Sequence, residues 1–152
     1  MEIEIPKETD FERINIIAKQ VHDLHVNWRP DFYIKVEQPI QKQYLKELIK
    51  NKEIYVAKEK ANIIGYITIS KKEKKYHGLH YKKIITIEVL SVDKYHQNKG
   101  VGRQLMQYII ELGQKEQCTD IQLTVNEENV KARKFYEGLG MRVKNISYSM
   151  KI

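Results

Sequence analysis

The stretch KKIITIEVLSVDKYHQNKGVGRQLMQYIIELG, residues 82–113, constrains the fold more than any other part of the chain. Its first part, KKIITIEVLSV, is rich in β-branched residues and reads as a strand. After the loop DKYHQNKG the period changes. Val101, Leu105, Met106, Ile109 and Leu112 recur on one face of a helix predicted over residues 100–117. Gly100 and Gly102 stand where that helix begins, although glycine weakens a helix interior. The first N–H groups of a helix lack internal partners and carry partial positive charge. Glycines there remove the Cβ atoms that would hold a phosphate away, and Lys99 and Arg103 add formal charge. Gln97, Asn98, Lys99, Gly100, Val101, Gly102 and Arg103 are thus built like an anion seat. The plainer reading is a tight turn with basic surface residues, and this stretch alone leaves both open. Two other phosphate motifs are excluded. The third glycine of the dinucleotide fingerprint is missing, and so is the Gly-Lys-Ser/Thr ending of a P-loop.

Around this junction the chain alternates between the two periods. MEIEI reads as a short strand. TDFE resembles a capping box, with Thr9 as cap and Glu12 three residues on. Phe11, Ile14, Ile17, Ala18, Val21 and Leu24 then mark a helix ending near Arg29-Pro30. A second helix is predicted from Pro39, carrying Ile40, Tyr44, Leu45, Leu48 and Ile49 on one side. EIYVAKE and NIIGYITISKK flank KAN as a hairpin. DIQLTV reads as a further strand, NVKARKFYEGLG as a short helix closed by glycine, and MRVKNISYSMKI as a terminal strand or hairpin. The order β-α-α-β-β-β-α-β-α-β gives an α/β (α+β) class, with a mixed, mostly antiparallel sheet flanked by helices. No Gly/Ser/Pro-rich linker or repeat divides it, so residues 1–152 are expected to form one domain.

Composition narrows the partners. The net charge is +7, which favours an anionic ligand without choosing one. No stretch approaches the length of a membrane span, no signal-peptide pattern opens the chain, and no nucleic-acid motif is present. One cysteine, Cys118, forms no internal disulfide, so the expectation is a cytoplasmic protein with a buried structural thiol. His22 and His25, like His77 and His80, lack a third ligand at a recognisable spacing, so no metal is expected. His96 reads as an exposed residue ahead of the anion loop. The lysine-rich segment 70–83 reads as a solvated hairpin whose lysines discourage edge pairing.

VLSVDKYHQNKGVGRQLMQYIIELG resembles the acetyl-CoA signature of the GNAT superfamily of N-acetyltransferases: a strand, then Gln/Arg-x-x-Gly-x-Gly/Ala, then a helix. NEENVKARKFYEGLGM resembles the second family block, Asn-x-x-Ala-x-x-x-Tyr-Glu-x-x-Gly-Phe, with Met141 in place of the usual phenylalanine. The resemblance covers residues 53–150; the first third shares only a strand and two helices. It implies transfer of an acetyl group from acetyl-CoA to a primary amine of a small molecule or peptide, by direct attack while both substrates are bound. The alternative on the same fold is a noncatalytic CoA-binding sensor.

The resemblance also implies residue roles. The pyrophosphate of CoA would sit on the amides from Gln97 to Arg103. The pantetheine arm would pair like a strand along Leu90, Ser91 and Val92, with Asn129 hydrogen-bonding it or lining the cleft. Tyr136 would protonate the departing sulfur. Trp28, Asp31, Phe32 and Tyr33 would border the acceptor, although an aromatic patch covering the sheet end is the plainer reading. A homodimer is the family habit. Glu88 is the candidate base. A carboxylate among apolar neighbours must face a cleft or find a partner, and partial burial would suit it to accept a proton. An outward-facing Glu88 paired with a lysine is equally consistent with the strand pattern.

Overall fold

A computed structural model describes residues 1–152. Its strands are β1 (Glu2–Glu4), β2 (Ile54–Glu59), β3 (Asn62–Lys74), β4 (Lys82–Val92) and β5 (Asp120–Leu123). Its helices are α1 (Phe11–Trp28), α2 (Lys42–Asn51), α3 (Val101–Lys115) and α4 (Val130–Glu137). Short 3-10 turns at Glu8–Asp10 and Lys94–His96 precede α1 and the anion loop. The strands form one sheet in the order β1-β2-β3-β4-β5. All neighbours are antiparallel except β4 and β5, which run parallel.

Each face of the sheet buries its own apolar cluster. On one side Phe11, Ile14, Ile17 and Ala18 of α1 and Leu45 and Leu48 of α2 pack on Ile54, Val56, Ile63 and Tyr66. On the other, Val101, Leu105, Met106 and Ile109 of α3 pack on Ala57, Ile64, Ile67, Ile69, Ile85 and Ile87. Alternate residues of β2 go to opposite clusters, as the two-residue strand period requires; in β3 a bulge opposite Ala57 and Lys58 breaks the alternation, so Ile63 and Tyr66 share one cluster and Ile64 and Ile67 the other. The face of α3 read from the sequence is the face it buries.

Two local features open the sheet. The β4–β5 ladder is short, pairing Ile84–Ile87 with Asp120–Leu123. Beyond Ile87, β4 continues to Val92 with no partner on that edge. At the same level Thr68 pairs with Val89 and Ile69 with Ile87, so Glu88 is an unpaired extra residue in a β-bulge.

The structure corrects several expectations. The start of α1 is not a Thr9–Glu12 capping box. Asp10 folds back instead, accepting from the Lys7 backbone N–H at 2.9 Å. α2 begins at Lys42 rather than at Pro39. The buried Asn15 explains the delay: its side chain holds both the Ile40 N–H (2.9 Å) and the Ile40 carbonyl (3.0 Å), outside any helical pattern. The predicted terminal strand is absent. Residues 142–152 take part in no backbone–backbone hydrogen bond. Cys118 is half-buried rather than buried, since it ends the turn after α3.

Candidate active site

The split between β4 and β5 is the floor of a cleft of about 1010 Å³. Glu88, Val89, Leu90, Ser91 and Val92 form one wall, and Thr124, Val125 and Asn126 the other. The start of α3 closes one end with Gln97, Asn98, Gly100, Val101, Gly102 and Arg103. Side chains of α1, α2 and β3 close the other.

The α3 end is a row of unused donors. No backbone or side-chain acceptor within the chain takes a hydrogen bond from the N–H of any residue from Gln97 to Arg103. The first engaged amide is that of Gln104, which reaches the Gly100 carbonyl at 3.0 Å. Asn98 (φ 61°) and Gly100 (φ 82°) are both left-handed, so successive N–H groups turn into a concave nest. A Cβ built on Gly100 meets nothing within 4 Å, so the space before it is open. Gln97 braces the loop by donating to the Val92 carbonyl (3.2 Å) and accepting from Lys131 (2.7 Å). These groups fit a pyrophosphate. Lys99 does not line the cleft.

The strand pattern gave no sign of the anchor beneath this loop, Asp93. Its buried carboxylate accepts from Arg13 (3.0 Å), Gln20 (2.9 Å) and His96 Nδ1 (3.0 Å). Gln20 also accepts from the Lys94 N–H at 2.9 Å, so α1 holds the turn that leads into the anion seat. His96 is correspondingly half-buried, not simply exposed. Burial would raise the Asp93 pKa, but the hydrogen bonds from Gln20, Arg13 and His96 outweigh it and hold the carboxyl down at about 2. A depressed carboxylate stabilises the fold fully above its unfolded pKa of about 3.9. That contribution, ~2 kcal/mol, fades as pH falls toward the folded value. Asp93→Asn is therefore expected to lower unfolding stability by roughly 2–4 kcal/mol at pH 7, Arg13 being left unpaired. The gap should close on acidification. Denaturant titrations at pH 7 and near pH 2 measure it; a gap independent of pH would mean that the Asp93 charge is not what stabilises.

The same cleft holds the two candidate reactive side chains, Tyr136 and Glu88. Tyr136 of α4 packs edge-on against Phe135 at 5.1 Å between ring centroids. Its hydroxyl makes no hydrogen bond within the chain, and burial pushes its pKa up to about 12, so it keeps its proton at neutral pH. Glu88 projects from the bulge into the cleft, where it accepts from Ser70 Oγ at 2.5 Å. It is exposed, so the partial burial expected of it is not found; the Ser70 contact and solvent satisfy it instead. The bulge resolves the strand ambiguity: Glu88 faces the cleft and pairs with a serine, not a lysine. Beside it, Thr68 Oγ1 is buried without any partner.

Among the residues expected at the acceptor, Trp28 and Tyr33 line the cleft and Asp31 and Phe32 do not. Asp31 is gripped by Arg29 at 2.9 Å, and Phe32 is 71% exposed. Asn129 lines the cleft, but its Oδ1 is taken by the Ala132 N–H at 3.1 Å as the cap of α4, which leaves its Nδ2 free. Ser91 Oγ turns away toward the Ile17 carbonyl (3.4 Å), so only its backbone faces the slot. Tyr44, Tyr66, Thr68, His22 and His25 also line this end, and sequence reasoning missed them as site residues. Burial, then the neighbouring His22, lowers the His25 pKa, which makes it an uncharged wall. The lysine-rich hairpin lies outside the cleft, with Lys71 and Lys82 paired to Glu116 (2.6 Å) and Asp120 (3.0 Å).

A family model described as the acetyltransferase (GNAT) family matches residues 18–141. The chain belongs to the GNAT acetyltransferase family. No curated protein matches its sequence. A solved tetramutant of the BH1408 protein from Bacillus halodurans is 25% identical over 100% of both chains, with a TM-score of 0.95. Two more distant structures share the fold. An aminoglycoside N-acetyltransferase, AAC(6')-Iy, solved with CoA, is 17% identical over 99% of both chains at a TM-score of 0.71. A Trypanosoma brucei acetyltransferase is 18% identical over 99% of both at 0.69. The GNAT chain described here has the mixed sheet and the flanking helices of that family. No helix of it is long and apolar enough to cross a membrane.

Proposed function

We propose that the protein is an acetyl-CoA-dependent N-acetyltransferase acting on a primary amine of a small molecule or peptide. The observation that carries this is the run of unengaged amides from Gln97 to Arg103 at the mouth of a split sheet. When bound, acetyl-CoA supplies an acyl thioester. The amides of the α3 nest hold its pyrophosphate, and the free edge of β4 at Leu90, Ser91 and Val92 offers strand-like hydrogen bonds to its arm. Holding both substrates in one cleft removes much of the entropic cost of encounter. A backbone N–H on that free edge stabilises negative charge developing on a carbonyl oxygen. Tyr136 holds a proton for the sulfur, and Glu88 takes one from the amine, directly or through water.

The acceptor end supports a choice of amine. Trp28, Tyr33, Tyr44 and Tyr66 line it, and Glu88 is the one carboxylate on the cleft wall. Such walls favour a single ammonium on an apolar or aromatic body, with cation–π contact as it enters. Calorimetry with acetyl-CoA, followed by free-thiol release over an amine panel, tests the reading. Acetyl-CoA binding without turnover on any amine would support the noncatalytic sensor instead. Glu88→Gln is expected to lower kcat/KM for the amine about 10- to 1000-fold near neutral pH, and less at high pH where the amine is already neutral. Acetyl-CoA affinity should not change; an equal loss at every pH would remove the base assignment.

A further inference from the structure

Tyr66, Thr68 and Ser70 fall on one face of β3, since alternate residues of a strand share a face. Each carries a hydroxyl, and only that of Ser70 has a partner within the chain, the Glu88 carboxylate. Thr68 is 3% exposed, and its Oγ1 is buried with no partner. Tyr66 is 2% exposed, its ring packed in the cluster under α1 and α2. Its hydroxyl also makes no hydrogen bond within the chain, yet it is not sealed off, so the little surface it keeps opens on the cleft that the residue lines. Burial, then the neighbouring Tyr44, pushes the Tyr66 pKa up, so the hydroxyl keeps its proton. Tyr44 is itself raised by burial first and then by Glu88, which sets these groups around one space.

A buried hydroxyl without a partner destabilises the fold, and native proteins leave few of them. Here two stand next to each other on one strand face, at the acceptor end of the cleft. We propose that Tyr66 is a specificity-determining residue: its O–H donates to a neutral oxygen on the acceptor, so the amine this protein takes carries such an oxygen beside its apolar body. The inference rests on the acceptor entering beside Glu88, as proposed above. Thr68, one alternate position along, keeps the floor polar around the same oxygen. A site built to hydrogen-bond a substrate oxygen rejects the analogue lacking it far more strongly than an apolar pocket rejects a small misfit.

Charge decides that the group is neutral. The lysines and arginines that line the cleft are Arg103, Lys131 and Lys134, on α3 and α4; none lies on α1, α2 or β3. A carboxylate or phosphate on the acceptor would meet no positive charge at this end and would lie near Glu88. A second ammonium would have only Glu88 to answer it, and the reacting amine already uses that carboxylate. A hydrocarbon would leave the Tyr66 hydroxyl orphaned and keep water from it. A neutral oxygen satisfies the hydroxyl with no charge to desolvate.

Calorimetry with and without CoA measures amine affinity whether or not an acetyl group moves, so a failure of transfer and a failure of this inference are separate results. The probes are cyclohexylmethylamine and its ring-hydroxylated isomers, which differ from it by one oxygen. The best hydroxylated isomer should bind about 10- to 100-fold more tightly than the plain amine. Tyr66→Phe should remove most of that preference. Denaturant unfolding gives a second readout. Because the deleted hydroxyl has no partner in the chain, Tyr66→Phe should be at least as stable as the unaltered protein. Equal affinities for the plain and hydroxylated amines, or binding of neither, overturn the proposal, as does a preference that Tyr66→Phe leaves intact. A less stable Tyr66→Phe also overturns it, because the hydroxyl would then be bonded inside the chain.

Discussion

Tyr136→Phe is expected to lower kcat about 100- to 10,000-fold, the range for loss of a positioned acid. Acetyl-CoA affinity should change by no more than about twofold, because the removed atom acts on charge that appears only during the reaction. Three observations set this expectation. The hydroxyl is not used inside the chain, it lines the cleft, and burial keeps it protonated with a pKa of about 12. The ring stays in place in the variant, because it is held by Phe135 and by the apolar cluster under α4. Single-turnover rates and calorimetry on the variant separate chemistry from binding. Equal losses in both would mean that Tyr136 shapes the pocket and does not donate. The pH profile gives a second check: with the proton held to about 12, kcat should show no Tyr136 ionisation near neutrality.

Gly100→Val should act on the opposite quantity, weakening acetyl-CoA binding about 10- to 100-fold and leaving the turnover of bound enzyme nearly intact. Steric crowding inside the protein is not the cause, since a Cβ at this position meets nothing within 4 Å. The cause is the backbone. At φ 82° a β-branched residue is strained, so the loop should relax and turn its amides out of the nest. The methyl groups would also fill the space that a phosphate needs. Gly100→Ala should fall between the two, because it adds less bulk and less strain. Calorimetry across the three proteins measures the series. Unchanged affinity in the valine variant would place the pyrophosphate elsewhere.

The parts legible in the sequence were those set by near neighbours. β4 runs over Lys82–Val92 as its β-branched run indicates, and α3 begins directly after Gly100. The run of unengaged amides from Gln97 to Arg103 was readable as a candidate seat because a few adjacent residues make it. The rest depends on contacts across long stretches of chain. Arg13 reaches Asp93 from 80 residues away, so nothing near Asp93 marks it as an anchor. Tyr44 lay in an ordinary helical pattern and Tyr66 in an ordinary strand, and only the fold turns them toward one cleft. Glu88 was undecidable because its direction depends on a bulge, where alternation breaks. The terminal strand failed for a related reason: the alternation is there, but a strand exists only where a neighbour pairs with it, and residues 142–152 are paired with none.

The two apolar clusters on opposite faces of the sheet have a consequence for how such a protein can change. On the proposed reading, α1 and α2, with one cluster, would shape the acceptor wall, while α3 and α4, with the other, would hold the carrier. On that reading, mutations of the cleft-lining positions of the first helical pair, Arg13 and Gln20 apart, would alter which amine is welcome without loosening the hold on the thioester. New substrate tastes can therefore be selected on one side of the sheet while the other is left alone.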